Sequence, residues 1–394
     1  MRMEVPSDAK RRPRVLLIYR EMIPSIRLCG HCQLEWLAEQ GKAEYRHVPA
    51  MKLRAADLNW ADVVLLGRLD SWYEHRLVKL MKGAGKYLVY IIDDDLLNIS
   101  PELSSAAYYG QTEIRDCIRG IMAMSDCILS PSPLLLEKYA VGKQAIQIEE
   151  PAINPVAYAP HTPSAPVKIG FAGSIDRTQD IERILKQALT AIKRDYGDRV
   201  AFEFFGAIPD FAGELGAAGI PYTDSYDKYR DQLNRLQWDI GLAPMPDTPF
   251  HACKHYNKFS EYAAAGIAGV FSEVYPYTRI REFPECYVLC GNTPERWEGA
   301  LRRLIEDYVM REDYRRQAVQ CAREQLGVPQ SAAALEQGLL ALPFQKSSAA
   351  LKDSQLQWIK ICSLQKRLFA KIRDYGVSGA VRAAFRKLGA LVKR

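Results

Sequence analysis

Short, almost entirely apolar segments alternate with helix-like segments along most of the chain. The segments RVLLIY, ADVVLLG and YLVYIIDD, which begin at Arg14, Ala61 and Tyr87, are apolar at nearly every position. Helix-like segments such as WYEHRLVKLMKG separate them. Strands that are apolar on both faces and separated by helices are typical of a parallel sheet covered by helices on both sides. The alternation therefore predicts an α/β fold.

A proline-rich stretch interrupts this alternation. It runs from Glu149 to Pro166, reads EEPAINPVAYAPHTPSAP and has the composition of an interdomain linker. Beyond it the alternation restarts with VKIGFAG, VAFEFFG and WDIGLAPM. Since 394 residues are more than one hydrophobic core usually organises, we expect two domains. The sequence predicts two facing Rossmann-like domains, residues 1–158 and 159–344, followed by a basic helical tail, residues 345–394.

The composition narrows the class of protein. Hydrophobic residues make up 48% of the chain and charged residues 25%, as in ordinary globular proteins. No apolar segment approaches the roughly 20 residues that cross a bilayer. The N-terminal MRMEVPSDAKRRPR is basic but lacks the apolar segment of a secretory signal. We therefore expect a cytoplasmic protein.

A Cys-x-x-Cys motif, Cys29–Cys32, follows the first predicted strand and precedes a helix. A helix N-terminus lowers the pKa of a thiol, and CGHC matches the redox motif of protein disulfide isomerases. A thiol–disulfide oxidoreductase is therefore one hypothesis, although Leu28 stands where that family has tryptophan. The favoured interpretation is a ligand-contact loop with two free thiols. Gly30 would admit a phosphate to the backbone, and Arg27 would either pair with the phosphate or be a solvated charge.

The segment Trp238–Glu273 contains the residues best suited to a phosphate-bearing ligand. A predicted strand ends in a proline-rich turn, Lys254 follows, and a helix then places Lys258 and Glu261 one turn apart. A helix N-terminus and lysines neutralise a diphosphate, and a carboxylate on the same face accepts hydrogen bonds from ribose hydroxyls. The predicted ligand is a nucleotide-diphosphate sugar in the cleft between the domains. The alternative is a surface ion pair between Lys258 and Glu261.

These motifs resemble the group 1 glycosyltransferases of family 4 over roughly residues 14–330. PMPDTPFHACKHYNKFSEYAAAGIAGVFSE is similar to the donor-site pattern of that family, and VKIGFAGSIDRTQDIERILKQAL to the opening of its second domain. The resemblance implies the GT-B fold, a donor side in the second domain, an acceptor side in the first, and retention of configuration at the sugar. It also implies that Glu261 holds the ribose. The implied donor-binding residues are Gly173, Ser174, Arg177, Lys254, Lys258 and Glu261.

Two positions differ from the family pattern. A glutamate that contacts the donor sugar usually stands eight residues before Glu261, where this chain has Cys253. Ser174 replaces the arginine that usually follows the loop glycine, and Arg177 or Lys254 is expected to substitute for it. These differences leave a non-catalytic nucleotide-sugar or glycan-binding protein as the alternative function.

Aspartates end the strand-like segment YLVYIIDD. Their placement at the cleft makes Asp93 and Asp94 candidate catalytic or acceptor-binding residues, and Asp95 a structural capping residue. Paired aspartates also bind divalent metals, but the resemblance implies an enzyme without one, and the nine cysteines offer no second close pair. We expect no metal and no cofactor besides the nucleotide sugar. The expected acceptor is a glycan, a lipid-linked molecule or a protein.

The tail is strongly basic. Residues 352–394 contain eleven Lys or Arg and two Asp, a net charge of +9, whereas the whole chain has +6 and the remainder therefore −3. A helix here would carry one apolar stripe, formed by Trp358, Ile361, Leu364, Leu368 and Ile372. Such a helix either binds an anionic membrane surface, at the inner face of the membrane, or packs on the body or on a dimer partner. No nucleic-acid-binding motif is present, so no nucleic acid is expected.

Overall fold

The computed structural model describes residues 12–163, 166–223, 225–343, 349–370 and 372. A six-stranded parallel sheet occupies the first half of the chain, with strand order β2-β1-β3-β4-β5-β6. Its strands are β1 (Arg14–Tyr19), β2 (Glu44–Pro49), β3 (Val63–Gly67), β4 (Tyr87–Ile91), β5 (Cys127–Ser130) and β6 (Gln144–Gln147).

A second six-stranded parallel sheet follows, with strand order β12-β11-β10-β7-β8-β9. Its strands are β7 (Val167–Gly173), β8 (Val200–Gly206), β9 (Ala218–Ile220), β10 (Ile240–Ala243), β11 (Ala268–Ser272) and β12 (Tyr287–Cys290). The prediction of two Rossmann-like α/β units and the predicted parallel pairing are confirmed.

Helices connect the strands and cover both sheets. Those of the first half are α1 (Pro24–Ile26), α2 (Cys32–Glu39), α3 (Ala55–Trp60), α4 (Trp72–Gly83), α5 (Ala106–Tyr109), α6 (Thr112–Met124) and α7 (Pro133–Tyr139). Those of the second half are α8 (Thr178–Tyr196), α9 (Tyr226–Leu236), α10 (Pro249–Ala252), α11 (Asn257–Ala264), α12 (Pro294–Glu306), α13 (Tyr308–Glu324) and α14 (Val328–Leu340). Ser and Thr begin several of them, because their hydroxyls accept otherwise unpaired N–H groups of the first turn.

Both faces of the first sheet are buried. In β1, Leu16 and Ile18 belong to one hydrophobic core, and Val15 and Leu17 to a second core on the opposite face. Successive side chains of a strand point to opposite faces, so a strand buried on both faces has to be apolar at every position. This burial explains the uninterrupted apolar segments in the sequence.

The chain crosses between the two sheets twice. The proline-rich stretch leads from β6 to β7, and Ala152 within it forms a parallel bridge with Gly327, at the start of α14. Helix α14 falls in the range 159–344 but packs on the first sheet, where Leu335 and Leu339 share a core with Ile146. The two halves are therefore joined both by the linker and by the returning helix.

Residues 353–370 form the expected tail helix, and residues 373–394 lie outside the described residues. Leu351 and Leu356 are buried in the core on the α4 side of the first sheet. Within the described part of the chain, no helix has both the length and the hydropathy that crossing a bilayer requires.

Candidate functional site

A cleft of about 290 Å³ lies between the two sheets at the carboxyl ends of their strands. Both halves line it, as expected for doubly wound sheets. Eight of the predicted site residues lie in its wall; their binding roles stay predictions. These eight are Asp93, Asp94, Gly173, Ser174, Arg177, Lys254, Lys258 and Glu261.

Two glycines at strand ends shape the floor on the side of the second sheet. Gly173 ends β7 and Gly206 ends β8, and the two are paired in register. Gly206 has φ +87°, and a Cβ placed there would lie 2.1 Å from the carbonyl oxygen of Gly173. Only glycine fits this position. The floor therefore exposes backbone rather than side chains to a ligand.

Lys258 and Glu261 form a buried polar group with Tyr229. Lys258 Nζ donates to Glu261 Oε2 at 2.5 Å and to the Tyr229 hydroxyl at 2.9 Å. The Tyr229 hydroxyl donates to the same carboxylate oxygen at 2.7 Å. The predicted surface ion pair is thus formed, but it lies in the cleft wall, with Glu261 only 9% exposed. A ligand hydroxyl or phosphate here meets a pre-aligned carboxylate and ammonium.

Lys254 reaches across the cleft to the first sheet. Its Nζ donates to Asp94 Oδ1 at 2.7 Å, and Arg68 donates to Asp93 Oδ2 at 3.0 Å and lies 3.7 Å from Asp94 Oδ2. Burial raises the pKa of Asp94, but the charges of Lys254 and Arg68 outweigh it and hold that pKa below its usual value. Asp94 is therefore an ionised carboxylate. The second oxygen of Asp93 is buried without a hydrogen-bond partner and belongs to the cleft wall.

Arg177, at the end of a short 3₁₀ turn after β7, lies on the cleft floor. One of its Nη atoms donates to the Pro244 carbonyl at 2.6 Å, and its Nε lies 3.2 Å from Asp180 Oδ2. These contacts fix the position of the guanidinium in the cleft wall.

Two glutamates of the proline-rich stretch also face this region, and the sequence analysis did not select them. Glu150 lines the cleft, is 6% exposed, and accepts a hydrogen bond from Cys29 Sγ at 3.2 Å. Burial raises the pKa of Glu150 to about 7, because few charges offset the lost hydration. Burial acts the same way on Glu149, yet hydrogen bonds from His255 (2.6 Å) and Arg279 (2.5 Å) lower its pKa to about 2. Adjacent carboxyl groups thus differ in protonation near neutral pH.

Comparison with known proteins finds likeness in structure and not in sequence. No protein-family profile matches the sequence, and no curated protein sequence matches it. The solved structure of Anabaena HepE in complex with UDP and glucose aligns with a TM-score of 0.58 at 14% identity, covering 84% of this chain and 100% of that one. A UDP-forming trehalose-phosphate synthase from Burkholderia xenovorans aligns with a TM-score of 0.56 at 10% identity, covering 84% and 99%. The chain has the GT-B fold.

The same fold occurs in a candidate UDP-N-acetylglucosamine 2-epimerase from Listeria monocytogenes, with a TM-score of 0.51 at 12% identity, covering 86% of this chain and 100% of that one. A fold shared by a synthase and a candidate epimerase does not decide the reaction. The reaction has to be inferred from the side chains that line the cleft.

Arg27 and Gly30 lie outside the wall of the GT-B cleft. Arg27 donates to Asp227 Oδ2 at 2.6 Å, which joins the first half to the start of α9. Gly30 is buried, and a Cβ there would lie 3.2 Å from Ile91. The loop does reach the cleft through Leu28. The phosphate contacts predicted for Arg27 and Gly30 stay predictions.

The Cys-x-x-Cys motif lies in a kinked helical turn, and both cysteines are free. Burial raises the pKa of the Cys32 thiol to about 11 and that of Cys29 well above its usual value. Burial and the neighbouring charges of His47 and Arg27 lower the pKa of His31 to about 4. A reactive redox cysteine requires the opposite shift. The motif is a buried structural turn of the fold.

Cys253, at the position of the missing glutamate, lies outside the cleft wall. Its side chain is 6% exposed and packs in the core of the first sheet. The neighbouring residues Lys254 and His255 face the cleft instead. The first half contributes the carboxylates of Asp93, Asp94 and Glu150 to the cleft wall.

A group with metal-ligand spacing occurs away from the cleft wall. His161, Asp239 and Glu312 bring one ligand atom each within 4.8 Å of the others. Arg315 already binds Glu312 at 2.6 Å, and His161 binds Asp239 at 2.7 Å. These pairings explain the cluster as an ion-pair network between the linker and α13.

Proposed function

We propose that the protein is a glycosyltransferase that moves a sugar from a nucleotide-diphosphate donor to a glycan, lipid-linked or protein acceptor. The observation that carries this proposal is the composition of the cleft. Backbone-exposing glycines and the Lys258–Glu261 pair line one wall, and the acidic group with Asp93 and Asp94 lines the other. HepE, which has the same fold, was solved with UDP and glucose, and this supports a nucleotide-sugar donor.

In this proposal the second half binds the donor. The diphosphate lies over the ends of β7 and β8, where Gly173 and Gly206 leave room for it. Lys258 and Arg177 neutralise its charge. Glu261 accepts hydrogen bonds from the ribose hydroxyls while keeping its bond from Lys258, since a carboxylate has about four acceptor sites. The nucleobase of the donor lies near Tyr222 and Tyr226, which both line the cleft.

The first half binds the acceptor. Lys254 is shared, because Asp94 holds it before the donor arrives and a diphosphate competes for the same ammonium. Once Lys254 turns to the diphosphate, Asp94 is free to accept a hydrogen bond from an acceptor hydroxyl. Asp93 has an oxygen without a partner for the same purpose. Donor binding would thus prepare the acceptor site.

Transfer breaks the bond between the anomeric carbon and the diphosphate oxygen, and the electron pair leaves with the diphosphate. The acceptor oxygen forms the new bond to that carbon and loses its proton. Glu150, with a pKa of about 7, is a better proton acceptor near neutral pH than the weakly basic Asp94. The resemblance to retaining enzymes makes retention part of this proposal. The lysines supply the positive charge that a metal would bring, so we propose transfer without a metal.

A non-catalytic nucleotide-sugar-binding protein is the second candidate, and Cys253 favours it. The residue expected to contact the donor sugar is missing, so the donor site as described binds the nucleotide more completely than the sugar. Turnover separates the two candidates.

The test is binding and turnover of UDP-, GDP-, ADP- and dTDP-sugars, for the wild type and for Glu261→Gln. Glu273→Gln is the matched control, because Glu273 directly follows β11 and pairs at the surface with Arg281. We expect one donor to bind and to be hydrolysed slowly or transferred, and Glu261→Gln alone to lose it. Binding without turnover would favour the second candidate. Absence of binding at millimolar concentration would refute both.

A further inference from the structure

The tail helix, residues 353–370, has two apolar sides with different environments. Leu356 is 1% exposed and packs on the body. Other large apolar side chains of the helix are between 45% and 68% exposed, namely Trp358, Ile361, Leu364, Leu368 and Phe369. Exposed clusters of this kind are uncommon on soluble proteins unless they bind something.

Helix geometry places these exposed residues on one face. At about 100° per residue, Trp358, Ile361, Leu368 and Phe369 fall in a sector of about 100° centred roughly opposite Leu356. Docking on the body through Leu356 therefore leaves this stripe pointing outwards. Packing on the enzyme body accounts for one face of the helix and not for the other. We call the outward stripe the tail face.

Basic residues of the body adjoin the tail face. Arg76 and Lys79 of α4 are exposed and line a shallow depression together with Trp358. On the helix itself, Lys360 and Arg367 lie between Leu356 and Leu364, to one side of the stripe. On the other flank Lys366 donates to Glu113 at 2.5 Å, so that charge is matched.

The remaining tail adds to this positive charge. Residues 373–394, which follow the helix in sequence, contain six Lys or Arg and one Asp, a net charge of +5. Among the nearby carboxylates, Asp116 pairs with Arg119, and Asp353 accepts a hydrogen bond from the Ala55 amide. The surface thus combines an apolar stripe with an excess of unpaired cations.

We propose that the tail face, together with Arg76 and Lys79, is a docking surface for an anionic lipid bilayer. Apolar side chains with tryptophan among them enter the headgroup region, and flanking lysines and arginines bind anionic lipids. A second copy of the chain fits less well, because it would bring two strongly basic tails together. Nucleic acid would leave the apolar stripe uncovered. The proposal does not depend on the glycosyltransferase function.

The experiment is co-sedimentation of the full-length protein with vesicles, without donor or acceptor. Vesicles of phosphatidylcholine with about one third phosphatidylglycerol should bind the protein about tenfold more tightly than phosphatidylcholine alone, and salt should weaken this binding. Trp358→Ser with Phe369→Ser should weaken it by about tenfold or more. The matched control is Val309→Ser, which removes a side chain 75% exposed on the second half and should change nothing.

A second pair of variants tests the basic part. Arg76→Glu with Lys79→Glu should reduce binding to anionic vesicles by about tenfold or more, whereas Arg296→Glu, an exposed reversal on α12, should not. Equal binding to both vesicle types, no binding, or full binding by the double variants would overturn the proposal. A dimer in solution that dissociates in Trp358→Ser with Phe369→Ser would assign the face to a second copy instead. Unchanged thermal unfolding of the variants excludes loss of fold as the cause.

Discussion

The two walls of the cleft are built differently. The wall of the second half is held by contacts within itself, such as Lys258 to Glu261 and the paired strand ends at Gly173 and Gly206. The wall of the first half is an array of charges. Arg68 donates to Asp93 within that half, but Asp94 accepts its hydrogen bond from Lys254 on the opposite side. A wall with internal contacts keeps its geometry when a ligand arrives, whereas a wall that depends on the opposite side has to rearrange. We call the wall of the second half the fixed wall and the wall of the first half the responsive wall.

Contacts at the rim of the cleft also join residues of the two halves. Arg27 binds Asp227, Arg183 lies 3.1 Å from Glu102, and Ser104 donates through its amide and its hydroxyl to Asp176 at 3.1 Å. Most of these side chains are partly exposed, so each pair contributes at most about 1 kcal/mol. Such contacts stabilise the observed arrangement of the two halves only weakly.

The largest expected effect comes from breaking the fixed wall at Gly206. Gly206→Ala places a Cβ against the Gly173 carbonyl and strains a left-handed backbone, so we expect the free energy of unfolding to fall by about 4 kcal/mol. Urea denaturation measures it. Gly213→Ala is the control, because nothing lies within 4 Å of that Cβ position. A loss below about 1 kcal/mol for Gly206→Ala would show that this wall is not rigid.

Removing the carboxylate of the fixed wall should act on binding. Glu261→Gln takes the charge away from Lys258 and Tyr229, and we expect donor affinity to drop by about 100-fold, roughly 3 kcal/mol. Isothermal titration with UDP, and with the sugar nucleotide that binds, measures the change. Tyr229→Phe keeps the ion pair and should lose about fivefold. Equal effects of the two variants would contradict the role given to Glu261.

The adjacent glutamates of the linker should show opposite pH signatures. The Glu150 pKa is raised from 4.5 to about 7, so its neutral form stabilises the fold fully below pH 4.5, and this stability is lost as pH rises through 7. Between pH 5 and pH 8 we expect a loss of about 2.5 kcal/mol that Glu150→Gln abolishes. Glu149, with a pKa lowered to about 2, contributes stability above pH 4.5 that is lost as pH falls towards 2. Unfolding free energies at each pH, compared between wild type and variants, check both signs.

A smaller effect is expected when the contact between the two walls is weakened. Asp94→Asn weakens the bond from Lys254, so Lys254 becomes available to the diphosphate. We expect UDP to bind about threefold to fivefold more tightly, about 1 kcal/mol, while transfer to the acceptor is lost. Titration and an activity assay measure the two quantities. Weaker UDP binding would show that the Lys254–Asp94 pair supports the donor site rather than competing with it.

The smallest effect concerns the buried thiols. Cys32→Ser should leave transfer activity within about twofold, because a thiol with a pKa near 11 is protonated at neutral pH. A large loss of activity that dithiothreitol also modulates would revive the redox hypothesis.

The same difference between walls explains what the sequence could predict. The fixed wall comes mostly from one continuous segment, so Lys254, Lys258 and Glu261 were visible together as a pattern. Uninterrupted apolar runs marked the central strands, because they are buried on both faces. The edge strands β6 and β9 are largely exposed and carry no such signal.

Residues of the first half and of the linker contact partners that are distant in sequence. The sequence leaves Arg27 as either a phosphate contact or a solvated charge, because its partner in the structure, Asp227, is 200 residues away. Glu149 and Glu150 were read only as part of a proline-rich linker. Their altered pKa values come from burial and from His255 and Arg279, which the linker meets only in the folded chain.

The double crossing between the sheets limits how the halves can move. A single linker would act as a swivel, but the linker and the start of α14 run side by side, and Ala152 is bridged to Gly327. Two parallel connections allow the halves to rotate about one hinge axis and resist rotation about the others. The two halves would then open and close along the same path. The path of the chain therefore limits the relative orientations that the two walls of the cleft can adopt.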